Sequence, residues 1–204
     1  MTSIKKADAT KEALRQALKT LMSEKPFNQI TVSDITGLCG FNRNTFYYHF
    51  QDIPSMVKDI AQNAAEQIIR ENAGSDSPEG LVDAVVKRMT ANRRFVMNVY
   101  NYSDHVVFEK DLMALCERGT RQYIHAAFDL TGLREDDIEI LVRFYKCESY
   151  GQFLDWLSSR LSFDISAQFH RLCELRRGFA EEYIRRCRES YGTETEASTF
   201  ADRV

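Results

Sequence analysis

Proline and glycine are scarce in this chain, at three and nine residues out of 204. The apolar residues recur at helical spacing and not in alternation, so the expected fold class is all-α. The longest apolar runs are only a few residues, too short for a membrane-spanning helix. The five cysteines (Cys39, Cys116, Cys147, Cys173, Cys187) are odd in number, form no CxxC pair and follow no signal peptide. They read as reduced thiols of a cytoplasmic protein. A GxSxG elbow, a P-loop, a GxGxxG turn and an HExxH pair are all missing. No enzyme activity, catalytic residue or cofactor is therefore expected. The acidic pairs Asp136-Asp137 and Glu181-Glu182 are adjacent on helices and do not face each other. His105, Cys116, His125 and Cys147 lack the short spacing of a local zinc site, so a metal-responsive protein would have to assemble them over long range. Cys39, beside the turn glycine, reads as a small buried residue, with a redox switch as the alternative.

Net charge is only −3, but it is unevenly placed. Residues 1–50 carry seven cations (Lys5, Lys6, Lys11, Arg15, Lys19, Lys25, Arg43) against Asp8, Glu12, Glu24 and Asp34, net +3, which leaves −6 elsewhere. A basic head on an acidic body suits a protein that meets nucleic acid at one end.

After a basic arm over residues 1–6, a first helix is expected from Ala7 to Ser23. It carries the apolar stripe Leu14, Ala17, Leu18 and Leu21. Lys11, Arg15 and Lys19 lie on another face, readable as phosphate contacts or as a solvated row. Thr31 then reads as the N-cap of a second helix, with Asp34 placed to reach back and Ile30 and Ile35 forming a staple. Gly40 supplies a positive-φ turn, and Asn42 caps a third helix under a Phe41–Phe46 staple. Within that helix Phe46 and Phe50 share the buried face, which leaves Arg43, Asn44, Thr45, Tyr47 and Tyr48 outward. Arginine and asparagine can read base edges, while threonine and tyrosine hydroxyls suit phosphate oxygens. Two short helices across a glycine, the second with this outward set, form a helix-turn-helix.

Asp52 caps a fourth helix running to about Asn72. The stretch 73–80 is the clearest break, and Pro78 restarts the chain as helix. Further helices are expected over about 81–89, 95–103, 105–129, 135–160 and 164–189, about nine in all, before a loose polar tail from Tyr191.

The run "ITVSDI…CG-x-N-R-x-TFYYHF" followed by a capped helix resembles the TetR family of bacterial transcriptional regulators. Beyond Gly80 the likeness lies in the number and length of helices, and suggests the branch that includes the activator of dihydroxyacetone kinase genes. The resemblance implies an N-terminal three-helix DNA-binding domain (1–51) and a C-terminal helical ligand-binding and dimerisation domain (52–204). It implies a homodimer on a near-palindromic double-stranded DNA operator, and a small-molecule effector of unknown identity. Carried over by position, Thr31 would meet a phosphate, Asn42, Arg43, Asn44 and Thr45 would enter the major groove, and Tyr47, Tyr48 and His49 would hold the backbone. Thr36, where a small alanine is usual, and Gly37 in mid-helix depart from the pattern. So does the start of the fourth helix, Gln51-Asp52-Ile53-Pro54, where a lysine is common. Lys58, a turn further on, is the remaining candidate for that phosphate.

The eighth and ninth helices have wide apolar faces, expected to form a four-helix seam between two copies. A pocket is expected among Phe95, Tyr100, Tyr102, Phe108, Tyr123, Tyr145 and Tyr150, although an aromatic stripe is more often core. The leading functional reading is a sequence-specific DNA-binding regulator, a repressor released by its effector. The alternatives are an activator of a metabolic operon, a metal- or redox-responsive regulator, and an all-helical binding or scaffold protein without DNA readout.

Overall fold

A computed structural model describes the backbone of residues 2–72, 77–102 and 104–201, and side chains over 7–72, 77–102 and 104–191. The side chains of the expected basic arm, residues 73–76 of the expected break, and Ser103 lie outside the described residues. Ten α-helices fill the described residues: α1 Thr2–Glu24, α2 Val32–Cys39, α3 Arg43–His49, α4 Ile53–Glu71, α5 Pro78–Ala91, α6 Arg93–Tyr102, α7 His105–Ala127, α8 Glu135–Ser158, α9 Ile165–Leu175 and α10 Phe179–Ala201. A short 3₁₀ turn, Phe27–Gln29, links α1 to α2. No strand occurs among the described residues.

Three boundaries differ from the sequence reading. Helix α1 begins at Thr2 and not near Ala7, since no proline or glycine interrupts residues 2–7. The expected ninth helix is two. Helix α9 ends with its cap at Arg176, and Gly178 takes φ +85°, a conformation that closes the turn without a Cβ clash. The backbone of α10 then continues to Ala201, where a loose tail was expected. That stretch contains no proline, and its Glu and Ala residues are good helix formers.

The chain divides into two compact units, Met1–Arg70 with Lys87–Asp111, and Glu71–Val86 with Leu112–Val204. In the first, Leu14, Leu18 and Met22 of α1, Ile35 of α2, Phe46 of α3, and Met56, Val57 and Ile60 of α4 form a buried core. Phe95 and Val99 of α6 pack against it. Asp59 of α4 clasps α1, with Lys11 Nζ 2.7 Å from one carboxylate oxygen and Arg15 Nε 2.6 Å from the other. Burial works to raise the Asp59 carboxyl, but hydrogen bonds from Lys11 and Arg15 outweigh it and hold the group below its usual range. Two of the three cations in the α1 row thus join helices within the fold.

In the second unit Ile124 of α7, Ile138, Leu141, Val142 and Tyr145 of α8, and Ala180 and Ile184 of α10 form a separate core. Trp156 donates its indole N–H to Phe163 O at 2.9 Å and fixes the turn into α9.

Candidate nucleic-acid interface

The turn from the 3₁₀ segment into α2 is built by three side chains. Thr31 sits extended at the N-cap, and its hydroxyl accepts from Asp34 N at 3.2 Å while donating to Asp34 Oδ2 at 2.8 Å. Asp34 Oδ2 also accepts from Thr31 N at 2.8 Å, completing the capping box, and from Lys25 Nζ at 2.9 Å. The Lys25 bond first, then the Thr31 backbone, hold the Asp34 carboxyl down at about 2.

Helix α2 ends at Gly40, whose φ of +72° makes the left-handed cap, with its N–H on Thr36 O. Thr36 is 4% exposed, and its hydroxyl donates to Val32 O at 2.9 Å, so the unexpected polar residue is satisfied within its own helix. A Cβ on Gly37 would meet nothing within 4 Å, so packing does not demand glycine there.

Helix α3 starts at an extended Asn42, whose Oδ1 accepts from Thr45 N at 2.9 Å and Thr45 Oγ1 at 3.1 Å. The carboxamide oxygen therefore serves the cap, and the Nδ2 hydrogens are the part of Asn42 suited to a base edge. Phe46 is fully buried and stands edge-on to Tyr47 with centroids 5.4 Å apart. Phe50 is buried 5.8 Å from Phe46. These two rings fix the roll of α3, and the remaining residues follow. Arg43, Asn44, Tyr47 and Tyr48 are exposed, and Thr45 and His49 are half-buried. Tyr48 is 80% and Tyr47 50% exposed, so two phenol rings stand side by side on the outward face. Partial burial first, then the nearby Lys11 charge, lowers the His49 pKa and so favours the neutral imidazole.

Lys58 is tied up in the free chain, with its Nζ 2.7 Å from Asp111 Oδ1 of α7. The expected pocket residues fall into two groups. Phe95 packs on the first unit's core. Tyr100 stands edge-on to Phe108 at 5.6 Å. Tyr102 lines an open cleft of about 420 Å³, together with Met22, Lys25, Pro26, Arg94 and Asn98. In the second unit Tyr123 stands edge-on to Tyr145 at 6.2 Å and borders a void of about 10 Å³, roughly the size of one water. Tyr150 is half-buried on α8. Burial pushes the Cys116 thiol up to about 12, which keeps it protonated and unreactive. No cluster of three or more His, Cys, Asp or Glu suited to a metal occurs among the described residues, and no described helix is long and apolar enough to cross a membrane.

A capped helix-turn-helix with an outward Arg-Asn-Thr and Tyr-Tyr face, carried on an otherwise helical chain, defines a DNA-binding transcriptional regulator. Comparison with known proteins agrees. Residues 10–61 match the model described as "Bacterial regulatory proteins, tetR family", and residues 76–178 match the "Transcriptional regulator C-terminal region". The chain belongs to the TetR family of bacterial transcriptional regulators. It is 26% identical over 98 residues to the HTH-type dhaKLM operon transcriptional activator DhaS of Lactococcus lactis subsp. lactis (strain IL1403). That match covers 48% of this chain and spans about half (52%) of the curated relative. The solved structure of the dihydroxyacetone kinase operon activator DhaS superposes with a TM-score of 0.66 at 18% identity, covering 81% of this chain and 93% of that one, a likeness of fold. NalD, the secondary repressor of the MexAB-OprM multidrug efflux pump in Pseudomonas aeruginosa, gives a TM-score of 0.49 at 18% identity, covering 83% and 94%.

Sequence reasoning placed the caps, the staple and the outward face of α3. It missed the Lys25–Asp34 and Lys58–Asp111 pairs, because a charge's partner nine or more residues away leaves no local pattern.

Proposed function

We propose that the chain works in the cytoplasm as a homodimer on a near-palindromic operator, without catalysing a reaction. Arg43 and Asn44 read bases. Thr31, Tyr47, Tyr48 and His49 meet the sugar-phosphate backbone, and Thr45 and Asn42, the latter through its Nδ2, enter the groove. The functional boundary lies near residue 51, with residues 1–51 reading DNA and residues 52–204 serving dimerisation and effector response. The observation that carries this reading is the α3 surface, where a buried Phe46–Phe50 pair leaves Tyr47 50% and Tyr48 80% exposed beside Arg43 and Asn44.

A second observation supports the dimer. Helix α8 is apolar on two faces. Leu141, Val142 and Tyr145 are buried, while Ile140 and Phe144 are 52% and 49% exposed. Phe179 of α10, 41% exposed, stacks on Phe144 at 5.0 Å. Cys147 and Gly151 continue the outer line at spacings of three and four, and both are exposed. A two-fold partner laying the same surface here would cover it, with α8 and α10, the second part of the expected ninth helix, forming the seam.

The sign of regulation follows the similarity to a named activator more closely than the repressor expected from sequence. An effector changes operator affinity only if it binds the DNA-competent and incompetent arrangements unequally. Selection from random duplexes with the purified protein tests the reading. The expected result is one enriched, near-palindromic sequence bound with a steep salt dependence. Absence of enrichment, with no salt-dependent binding, would support the scaffold alternative. A reporter on the selected sequence then separates activation from repression.

A further inference from the structure

Helix α6 lies outside the helix-turn-helix in sequence, yet it supplies the C-terminal cap of α1. The last carbonyls of a helix have no partner within it and must find one elsewhere. Asn98 Nδ2 donates to Met22 O at 2.7 Å and to Lys25 O at 3.4 Å, while its Oδ1 accepts from Phe27 N at 3.2 Å. Arg94 Nη1 donates to Ser23 O at 3.0 Å. One carboxamide thus uses both its donor and its acceptor ends on three backbone groups spanning Met22 to Phe27. No other residue type of similar size offers both ends in one plane.

This corner leads directly into the DNA-reading motif. Lys25, held at its carbonyl by Asn98, places its ammonium on Asp34, the carboxylate that completes the α2 capping box. Phe27, held at its N–H, opens the 3₁₀ turn that ends at Ile30, one residue before the Thr31 cap. Met97, one residue from Asn98, is buried and gives α6 a firm seat. The open cleft of about 420 Å³ beside Asn98 leaves this contact reachable from solvent.

We infer that Asn98 is a positioning residue for DNA reading, setting the angle at which α2 and α3 leave α1 so that two recognition helices fit one operator spacing. This role rests on the regulator reading above. Asn98→Asp keeps the acceptor for Phe27 N–H but turns a carboxylate oxygen toward two carbonyls, so it breaks the cap at nearly constant volume. Asn98→Ala removes all three bonds.

The test uses the full-length chain and the duplex selected by the wild-type protein, below the melting point of each variant and corrected for active fraction. Asn98→Asp is expected to lower operator affinity by about tenfold or more, while affinity for random duplex stays within about twofold. It is also expected to flatten the preference for one half-site spacing in a spacer series. A destabilised but correctly angled protein would lose no spacing preference. Hydrogen exchange at the Phe27 amide, slow in wild type and fast in Asn98→Ala, is the second measurement. Wild-type spacing preference and affinity retained in Asn98→Asp would overturn the assignment, as would a Phe27 amide that exchanges freely in wild type. A wild-type protein with no operator preference would instead overturn the regulator reading itself, and the role of Asn98 in readout with it.

Discussion

The ammonium of Lys58 lies 2.7 Å from a carboxylate oxygen of Asp111, so the lysine of α4 is joined to α7 when DNA is absent. Both side chains are partly exposed, at 46% and 30%, and such a pair stabilises the fold by only about 0–1 kcal/mol. Asp111→Asn should leave the melting temperature nearly unchanged and free Lys58. If Lys58 meets a phosphate in the complex, operator affinity rises in Asp111→Asn, and Lys58→Ala lowers the salt slope by about 0.9. An unchanged salt slope in Lys58→Ala would assign the lysine to the α4–α7 tie alone.

The capping box makes a prediction in acid. Asp34 is held at about 2 against an ordinary value of 3.8, first by the Lys25 bond and then by the Thr31 backbone. A depressed carboxyl contributes stability that is complete above the ordinary value and is lost as pH falls through the folded one. The Thr31–Asp34 cap should therefore persist at pH 3 and open near pH 2. Carbon-13 titration of the Asp34 carboxyl reads this directly. Lys25→Ala should move the midpoint up toward 3.8, and a wild-type midpoint already there would contradict the capping account.

Gly37 sits inside α2 with open space where a Cβ would stand. Gly37→Ala should stabilise the chain by about 0.5–1 kcal/mol, the helix-propensity difference, in urea unfolding. An unchanged operator affinity would show that the DNA backbone does not approach this point. A loss of affinity with the stability gain intact would show that it does.

The outer face of α8 predicts the seam. Phe144→Glu places a charge among exposed apolar groups and should cost the fold little, since Phe144 is 49% exposed. In a dimer formed through this face the same charge is buried in the seam in both copies. The dimer dissociation constant should rise by at least about tenfold, or 1.4 kcal/mol. Sedimentation equilibrium measures it, and a dimer unaffected by Phe144→Glu would move the seam elsewhere.

How much of this was legible in the sequence depended on the range of the interactions involved. Thr31, Asp34, Gly40, Asn42 and the Phe41–Phe46 spacing act within one or two helical turns, so pattern and cap chemistry located them before any fold was known. The burial of Phe46 and Phe50 then dictated the outward face of α3. The break at Gly178 was hidden because it lies between apolar residues that keep helical spacing on both sides. Lys11 and Arg15 looked like a surface row because their partner, Asp59, is more than forty residues away. Asn98 carried no local signal at all, since its three partners, from the end of α1 to the start of the 3₁₀ turn, lie more than seventy residues away.

The central claim is that the outward face of α3 reads base sequence, and Arg43 tests it most directly. Operator and random-duplex affinities of wild type and Arg43→Ala should be measured at one salt concentration. Loss of about 1–3 kcal/mol on the operator, with relaxed preference at one base position and little change on random DNA, is the expected result. Equal loss on both duplexes would contradict it and leave Arg43 as a phosphate contact.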